Sequence, residues 1–159
     1  QTNLVRQLQS RTMKRDYLAL VHGDVQFGGQ VNAPIGRHPV QRVKMAINKN
    51  GKEARTYYRV KEKIHGYTLL QCSLDSGRTH QIRVHMLSIG HPLVGDPTYG
   101  AKPKKSSEKI RKLIADFPRQ ALHAKYLELT HPDTGQKVMW ESELPKDIDG
   151  LLITLREAS

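Results

Sequence analysis

The sequence predicts an α+β domain built on a largely antiparallel sheet, and three observations carry that expectation. Short apolar runs recur between glycine- or proline-marked turns. Two of them alternate with period two on either side of a tight turn, and only a few stretches switch to helical spacing. Segments of this kind pair mostly with their sequence neighbours, which gives an antiparallel sheet with helices set against it. At 159 residues the chain can bury one proper core, and no stretch reads as a linker, so a single domain over 1–159 is expected.

Taken in order, Leu4 and Leu8 stand four apart and suggest the end of an amphipathic helix over residues 2–10. Tyr17-Leu18-Ala19-Leu20-Val21 is a short apolar run ending at Gly23, the mark of a buried strand. Gly28-Gly29 signals a turn. From Val31 to Val43 a loop is expected, because Pro34, Gly36 and Pro39 interrupt regular structure while Arg37, His38 and Arg42 charge it. Residues 43–48 read as a strand closed by Asn50-Gly51, a hairpin-turn pair.

Thr56, Tyr58 and Val60 then alternate with charged neighbours, and after Gly66 the chain returns with Leu70, Cys72 and Leu74 on one face. That is an antiparallel pair. Thr79 would cap a helix whose buried face is Ile82, Met86 and Ile89, stopped at Gly90 and Pro92. A Lys/Ser/Pro loop over 101–106 leads to a polar surface helix over 107–116. A last hairpin passes Leu127 and Leu129, turns at Pro132-Asp133-Thr134-Gly135 and returns through Val138 and Trp140 before a final helix over 146–156.

Charge narrows the partner. Lys and Arg number 26 against 15 Asp and Glu, a formal +11 with a pI near 9.9. Dispersed cations gain from phosphates by releasing condensed counterions, so a polyanion such as nucleic acid fits. No apolar run approaches the ~18–20 residues that cross a bilayer. The one cysteine, Cys72, excludes an internal disulfide and a cysteine-based zinc cluster and fits a reducing cytosol. The first residues, Gln1-Thr2-Asn3-Leu4-Val5-Arg6, form no signal-peptide core and begin without Met, so a processed or truncated start is expected.

The densest chemistry lies in Gly77-Arg78-Thr79-His80-Gln81-Ile82-Arg83-Val84-His85. A glycine turn leads into a helix N-terminus, which favours anions through its free N–H groups and dipole. Arg78 and Arg83 strengthen that seat, and Arg83 falls at the edge of the core, where a guanidinium needs a fixed carboxylate or phosphate. His80, His85 and His91 are spaced by five and six residues, which does not stack two imidazoles on one helical face, and no His-Glu-x-x-His occurs. No metal site is expected. Asp96 and Tyr99, in a Gly/Pro-framed turn, read as structural; His123 reads as a strand-edge hydrogen bond.

Gly77 to His85, followed by Gly90-His91-Pro92-Leu93-Val94-Gly95-Asp96-Pro97-Thr98-Tyr99-Gly100, resembles the signature of the RluA/RluD-type RNA pseudouridine synthases. Lys14 to Gly23, Pro34 to Pro39 and Arg119 to Ala124 match the same family in the same order, along nearly the whole chain. The Arg37-His38-Pro39 loop and the Gly95-Asp96-Pro97 turn are similar to its RluD branch.

The resemblance implies a pseudouridine synthase fold and an isomerase that converts uridine in large-subunit ribosomal RNA to pseudouridine. It implies no cofactor, a cytoplasmic location, no membrane and a monomer. By the same resemblance Tyr17 stacks on a flipped uracil and helps handle the C5 proton, and Arg83 pairs with a catalytic aspartate and keeps it ionised. Leu122 and Ile82 line the pocket, while Arg37, His38, Arg42, Lys44, Arg78 and His80 serve RNA.

One departure matters. The family's nucleophile sits in a His-Arg-Leu-Asp segment upstream of the tyrosine motif, and that tetrapeptide does not occur in these residues. Asp75, in Ser73-Leu74-Asp75-Ser76, is the nearest decoy, but it stands at a strand end beside the glycine turn. The expectation is therefore a truncated catalytic domain that does not turn over alone. Two other readings remain: a non-catalytic RNA-binding module using the same basic face, and a basic hydrolase, for which no nucleophile–base pair can be assembled.

Overall fold

The structure, a computed structural model, describes residues 13–103, 105–131 and 133–158; the helix expected over residues 2–10 lies outside them. The described residues form eight strands and three helices. A six-stranded sheet runs in the order β2-β5-β6-β1-β7-β8, where β1 is Lys14–His22, β2 Gly29–Asn32, β5 Arg55–Ile64, β6 Tyr67–Leu74, β7 Leu122–Thr130 and β8 Lys137–Glu141. A separate two-stranded ribbon joins β3 (Ile35–Arg37) to β4 (Met45–Ile47). Every one of these strand pairs is antiparallel, so the α+β expectation holds.

Central β1 is apolar because both of its faces are covered. Period-two alternation sends Leu18 and Leu20 to one side, against Ile110 and Ile114 of α2 (Glu108–Asp116) and Ile148, Leu151, Leu152 and Leu155 of α3 (Lys146–Glu157). Ala19 and Val21 go to the other side with Leu70, Cys72 and Leu74, against Ile82 and Met86 of α1 (Gln81–Ser88). Each such aliphatic side chain, fully buried, contributes roughly 1.5–3 kcal/mol. Burial also pushes the Cys72 thiol up to about 12, so it stays protonated in the core.

Four details differ from expectation. The Val31–Val43 loop contains the end of β2 and all of β3, because the ribbon needs only three paired residues to form between Pro34 and Pro39. Asn50-Gly51 does turn the chain, Gly51 N–H donating to the Asn48 carbonyl at 2.7 Å, but it does not join a hairpin. Lys52 instead bridges Ile35, and β5 pairs with β2 and β6. The 107–116 helix is amphipathic rather than a polar surface element: Ser107 caps it by accepting the Ile110 N–H, and Ile110 and Ile114 face the core.

The fourth difference is α1. Its buried residues run unbroken from Gln81 to Met86, so it has no solvent face to speak of over that stretch. Val84 packs with Ile35, Ala54 and Tyr99 on the ribbon side while Ile82 and Met86 face the sheet. A helix wedged between two sheets must find partners for its polar side chains inside the protein. It ends where expected, at Gly90 in the left-handed region (φ 84), with His91 N–H donating to the Met86 carbonyl.

Candidate active site

The start of α1 differs from the sequence expectation, and the difference shapes the site. Thr79 does not cap it. His80 does, in the left-handed region at φ 57, with no side-chain capping bond. The capping work falls to Gln81, whose Oε1 accepts from the Arg78 amide at 3.0 Å and from Ser76 Oγ at 2.9 Å. Its Nε2 donates to the Arg55 carbonyl and to Thr56 Oγ1.

That last bond begins a chain with one consistent polarity. His85 Nε2 lies 2.9 Å from the Ala33 carbonyl, which can only accept, so Nε2 carries the ring proton. Nδ1 then accepts from Thr56 Oγ1 at 2.8 Å, and Thr56 accepts in turn from Gln81. Burial holds the His85 pKa below the usual histidine range, as a fully paired neutral imidazole requires. These three polar side chains lock the helix start to β5.

Above this anchor lies a cleft of about 270 Å³. Strand β1 contributes Arg15 and Tyr17, the glycine turn Gly77 and Arg78, α1 with its cap His80, Ile82 and Arg83, and the entry to β7 Gln120 and Leu122. Tyr17 and Leu122 come together because β1 pairs with β7, Ala19 standing opposite Leu122. Six predicted residues thus meet in one cleft: Tyr17, Arg83, Leu122, Ile82, Arg78 and His80.

Arg83 is held from behind. Its Nε and Nη2 each donate to Asp96 at 2.8 Å, and the Asp96 side chain is 0% exposed. Asp96 also accepts the Thr98 and Tyr99 amides. Burial alone would raise this carboxyl, but Arg83 and the two amides outweigh it and hold the carboxyl below the usual range. The fixed carboxylate that Arg83 needed is therefore the turn aspartate Asp96, a pairing that the sequence reading did not anticipate. Arg83 Nη1 makes no hydrogen bond among the described residues, and the guanidinium carbon lies 5.0 Å from the Tyr99 ring centre.

Tyr99 ties the cleft to the ribbon. Its hydroxyl accepts the Met45 amide on β4 and lies 2.8 Å from His80 Nδ1. Burial, then the nearby Arg83 charge, lowers the His80 pKa, so its ring is neutral near pH 7.

The remaining predicted RNA residues, Arg37, His38, Arg42 and Lys44, all lie on or beside the β3–β4 ribbon and not in the cleft. Two grooves flank the ribbon, about 450 Å³ with His38 and Lys44 in its wall and about 410 Å³ with Arg37 and Arg78. Arg37 donates to the Arg42 carbonyl, and His38 Nδ1 accepts the Val40 and Gln41 amides, so His38 shapes the turn as well as facing a groove.

Asp75 accepts from Tyr57 and pairs with Arg55 outside the cleft, and Asp16 accepts from Ser73. Among the described residues the cleft wall contains no carboxylate. His80, His85 and His91 are each bonded to a protein oxygen, and no metal-holding group of three His, Cys, Asp or Glu exists among the described residues. A larger cleft of about 520 Å³ between α2 and α3, around Leu113, Phe117 and Leu151, holds none of the predicted residues.

Sequence reasoning missed Arg15 and Gln81. Arg15 stands two residues before Tyr17 on one strand, a spacing that puts both on the cleft face. Gln81 carried no signal, because its role depends on where β5 lies.

Comparison with known proteins gives the family. Residues 1–88 match the family model described as RNA pseudouridylate synthase. The chain belongs to the RNA pseudouridylate synthase family.

It is 59% identical over 157 residues to the Ribosomal large subunit pseudouridine synthase D of Nitrosomonas europaea, covering 98% of this chain and 45% of that protein. The protein of the same description from Pseudomonas aeruginosa is 52% identical, with 98% and 50% covered, and that from Escherichia coli 46%, with 98% and 49%. The chain thus spans about half the length of these curated relatives. Among solved structures it is similar to Human RNA Pseudouridylate Synthase Domain Containing 4, with TM-score 0.75, 25% identity and 98% of this chain against 67% of the other covered. Human RNA Pseudouridylate Synthase Domain Containing 1 gives TM-score 0.71 at 27% identity, with 97% and 70% covered. No helix among the described residues is long and apolar enough to cross a membrane.

Proposed function

We propose that residues 1–159 are one domain of an RNA pseudouridine synthase of the RluD type, carrying the base-holding and charge-pairing walls of its active site. The complete protein isomerises uridine to pseudouridine in large-subunit ribosomal RNA, in the cytoplasm and as a monomer. The observation that carries this reading is the convergence of Tyr17, Leu122, Ile82 and Arg83 from three separate elements on one cleft without a carboxylate of its own.

In that reading the target uridine leaves its stack and enters the cleft. Flipping costs a few kcal/mol, and stacking on the Tyr17 ring returns ~1–3 kcal/mol of it. Leu122 and Ile82 give the base an apolar floor. The nucleophilic aspartate comes from a segment outside these 159 residues. Asp96 holds two of the three Arg83 nitrogens and leaves Nη1 for that carboxylate. At ~4 Å and an effective dielectric of ~20 such a pair gains roughly 4 kcal/mol before desolvation. The Tyr17 hydroxyl handles the C5 proton, and the ribbon cations hold the surrounding phosphates.

The test uses the complete protein on unmodified large-subunit rRNA, with pseudouridine read by chemical labelling and primer extension. Arg83→Ala and Tyr17→Phe should each lower turnover at least ~100-fold, the scale of a lost acid–base or charge-stabilising group. The 159-residue chain alone should form none. Normal turnover in either variant would remove that residue from the mechanism. A chain that binds RNA while the complete protein forms no pseudouridine would favour the binding-module reading.

A further inference from the structure

Arg15 is a cation without an anion. Its Nε is buried and makes no hydrogen bond, and no carboxylate pairs with it among the described residues. Burial lowers its pKa, nearby Tyr17 works against that and the neighbouring Arg78 charge adds to it. Its guanidinium lies across Gly77, so close that a Cβ on that glycine would collide with Nη1. Glycine there permits the close approach, its backbone being in an ordinary region, and a Cβ would push the guanidinium aside. An unsatisfied buried Nε costs stability, and the half-buried guanidinium that carries it lies over a glycine.

The surroundings say what it awaits. Among the described residues three arginines line the cleft and no carboxylate does. Arg83 is neutralised by Asp96, while Arg78 gives its Nε only to the uncharged Glu53 carbonyl. Arg15 and Arg78 are therefore the uncompensated charges, side by side at the wall that carries Tyr17. A forked pair of guanidinium groups suits a group with several oxygens and one negative charge.

We propose that Arg15, with Arg78, seats an RNA phosphodiester adjoining the base that stacks on Tyr17. Arg15 is then a positioning residue that fixes the backbone while the base turns into the cleft. This rests on the uridine-holding reading above.

The experiment measures binding of the 159-residue chain to a short single-stranded RNA with one uridine. Parallel probes carry an uncharged methylphosphonate on either side of that uridine, or an abasic site in its place. Wild type should bind the charged probe about tenfold better than the methylphosphonate probe, the scale of one charge-assisted hydrogen bond. Arg15→Met should lose about tenfold on the charged probe and no further on the uncharged one. Arg15→Lys should recover part of the loss. Gly77→Ala, which displaces the guanidinium, should mimic Arg15→Met.

A second readout separates function from structure: Arg15→Met should melt at the same temperature as wild type or higher, because a half-buried guanidinium with an unsatisfied Nε has gone. Equal losses on charged and uncharged probes, unchanged binding, or a lower melting temperature would overturn the proposal. If uridine and abasic probes bind alike and Tyr17→Ala changes nothing, the base-holding reading itself falls and takes this one with it.

Discussion

Arg83 and Asp96 face each other through two parallel hydrogen bonds of 2.8 Å, a turn carboxylate gripping a helix guanidinium at the back of the cleft. The pair is nearly dry, with side chains 10% and 0% exposed. Removing one member leaves the other buried and uncompensated, which costs about 3–5 kcal/mol. Asp96→Asn should therefore lower unfolding free energy by that amount in a urea titration. A loss under about 1 kcal/mol would show that the pair is not the anchor of α1.

Acid should weaken the fold in two stages. His85 has a folded pKa below its unfolded value, so the unfolded chain binds the extra proton and stability is lost as pH falls below about 6.5. Asp96, also held low, adds a further loss as pH drops through the usual carboxylate range. His85→Gln should flatten the first stage and leave the second. Denaturation midpoints measured from neutral to mildly acidic pH test this, and an unchanged first stage would exclude His85 as its source.

Thr56 connects His85 to Gln81. Thr56→Val keeps the shape but strands His85 Nδ1 and leaves Gln81 Nε2 with only its bond to the Arg55 carbonyl, at about 1–3 kcal/mol for a buried unsatisfied group. Amide exchange should rise first at the helix start, from Gln81 to Arg83. Uniform loosening across the sheet would argue against a local lock.

The ribbon cations should act through charge alone. Neutralising Arg37, Arg42 and Lys44 to Gln should reduce the log–log salt slope of RNA binding by about 0.7 for each phosphate that is no longer neutralised. Tyr17→Ala should leave that slope intact while costing ~1–3 kcal/mol of stacking. Matching slopes for wild type and the triple variant would take RNA off the ribbon.

Most strands were legible because period-two alternation and turn residues are local: the β5–β6 hairpin around Gly66 and the apolar run of β1 both lie where the pattern puts them. Helix α1 was legible in extent but not in environment. Its real cap, His80, needs a left-handed backbone that only its bond to Tyr99 and the bonds of Gln81 explain. Strand β4 falls inside the strand expected over 43–48, but its partner β3 escaped because three residues between Pro34 and Pro39 carry no period to read.

The sequence by itself determined the α+β class and the basic net charge, and it singled out Tyr17, Arg83, Leu122 and Ile82, which line one cleft. Tertiary structure alone decided that Asp96 faces Arg83 from thirteen residues away, and that Arg15 crosses Gly77 without an anion. Periodicity and motif order are properties of neighbours along the chain. Charge compensation depends on which distant groups share a water-poor space, and only the packed fold brings those together.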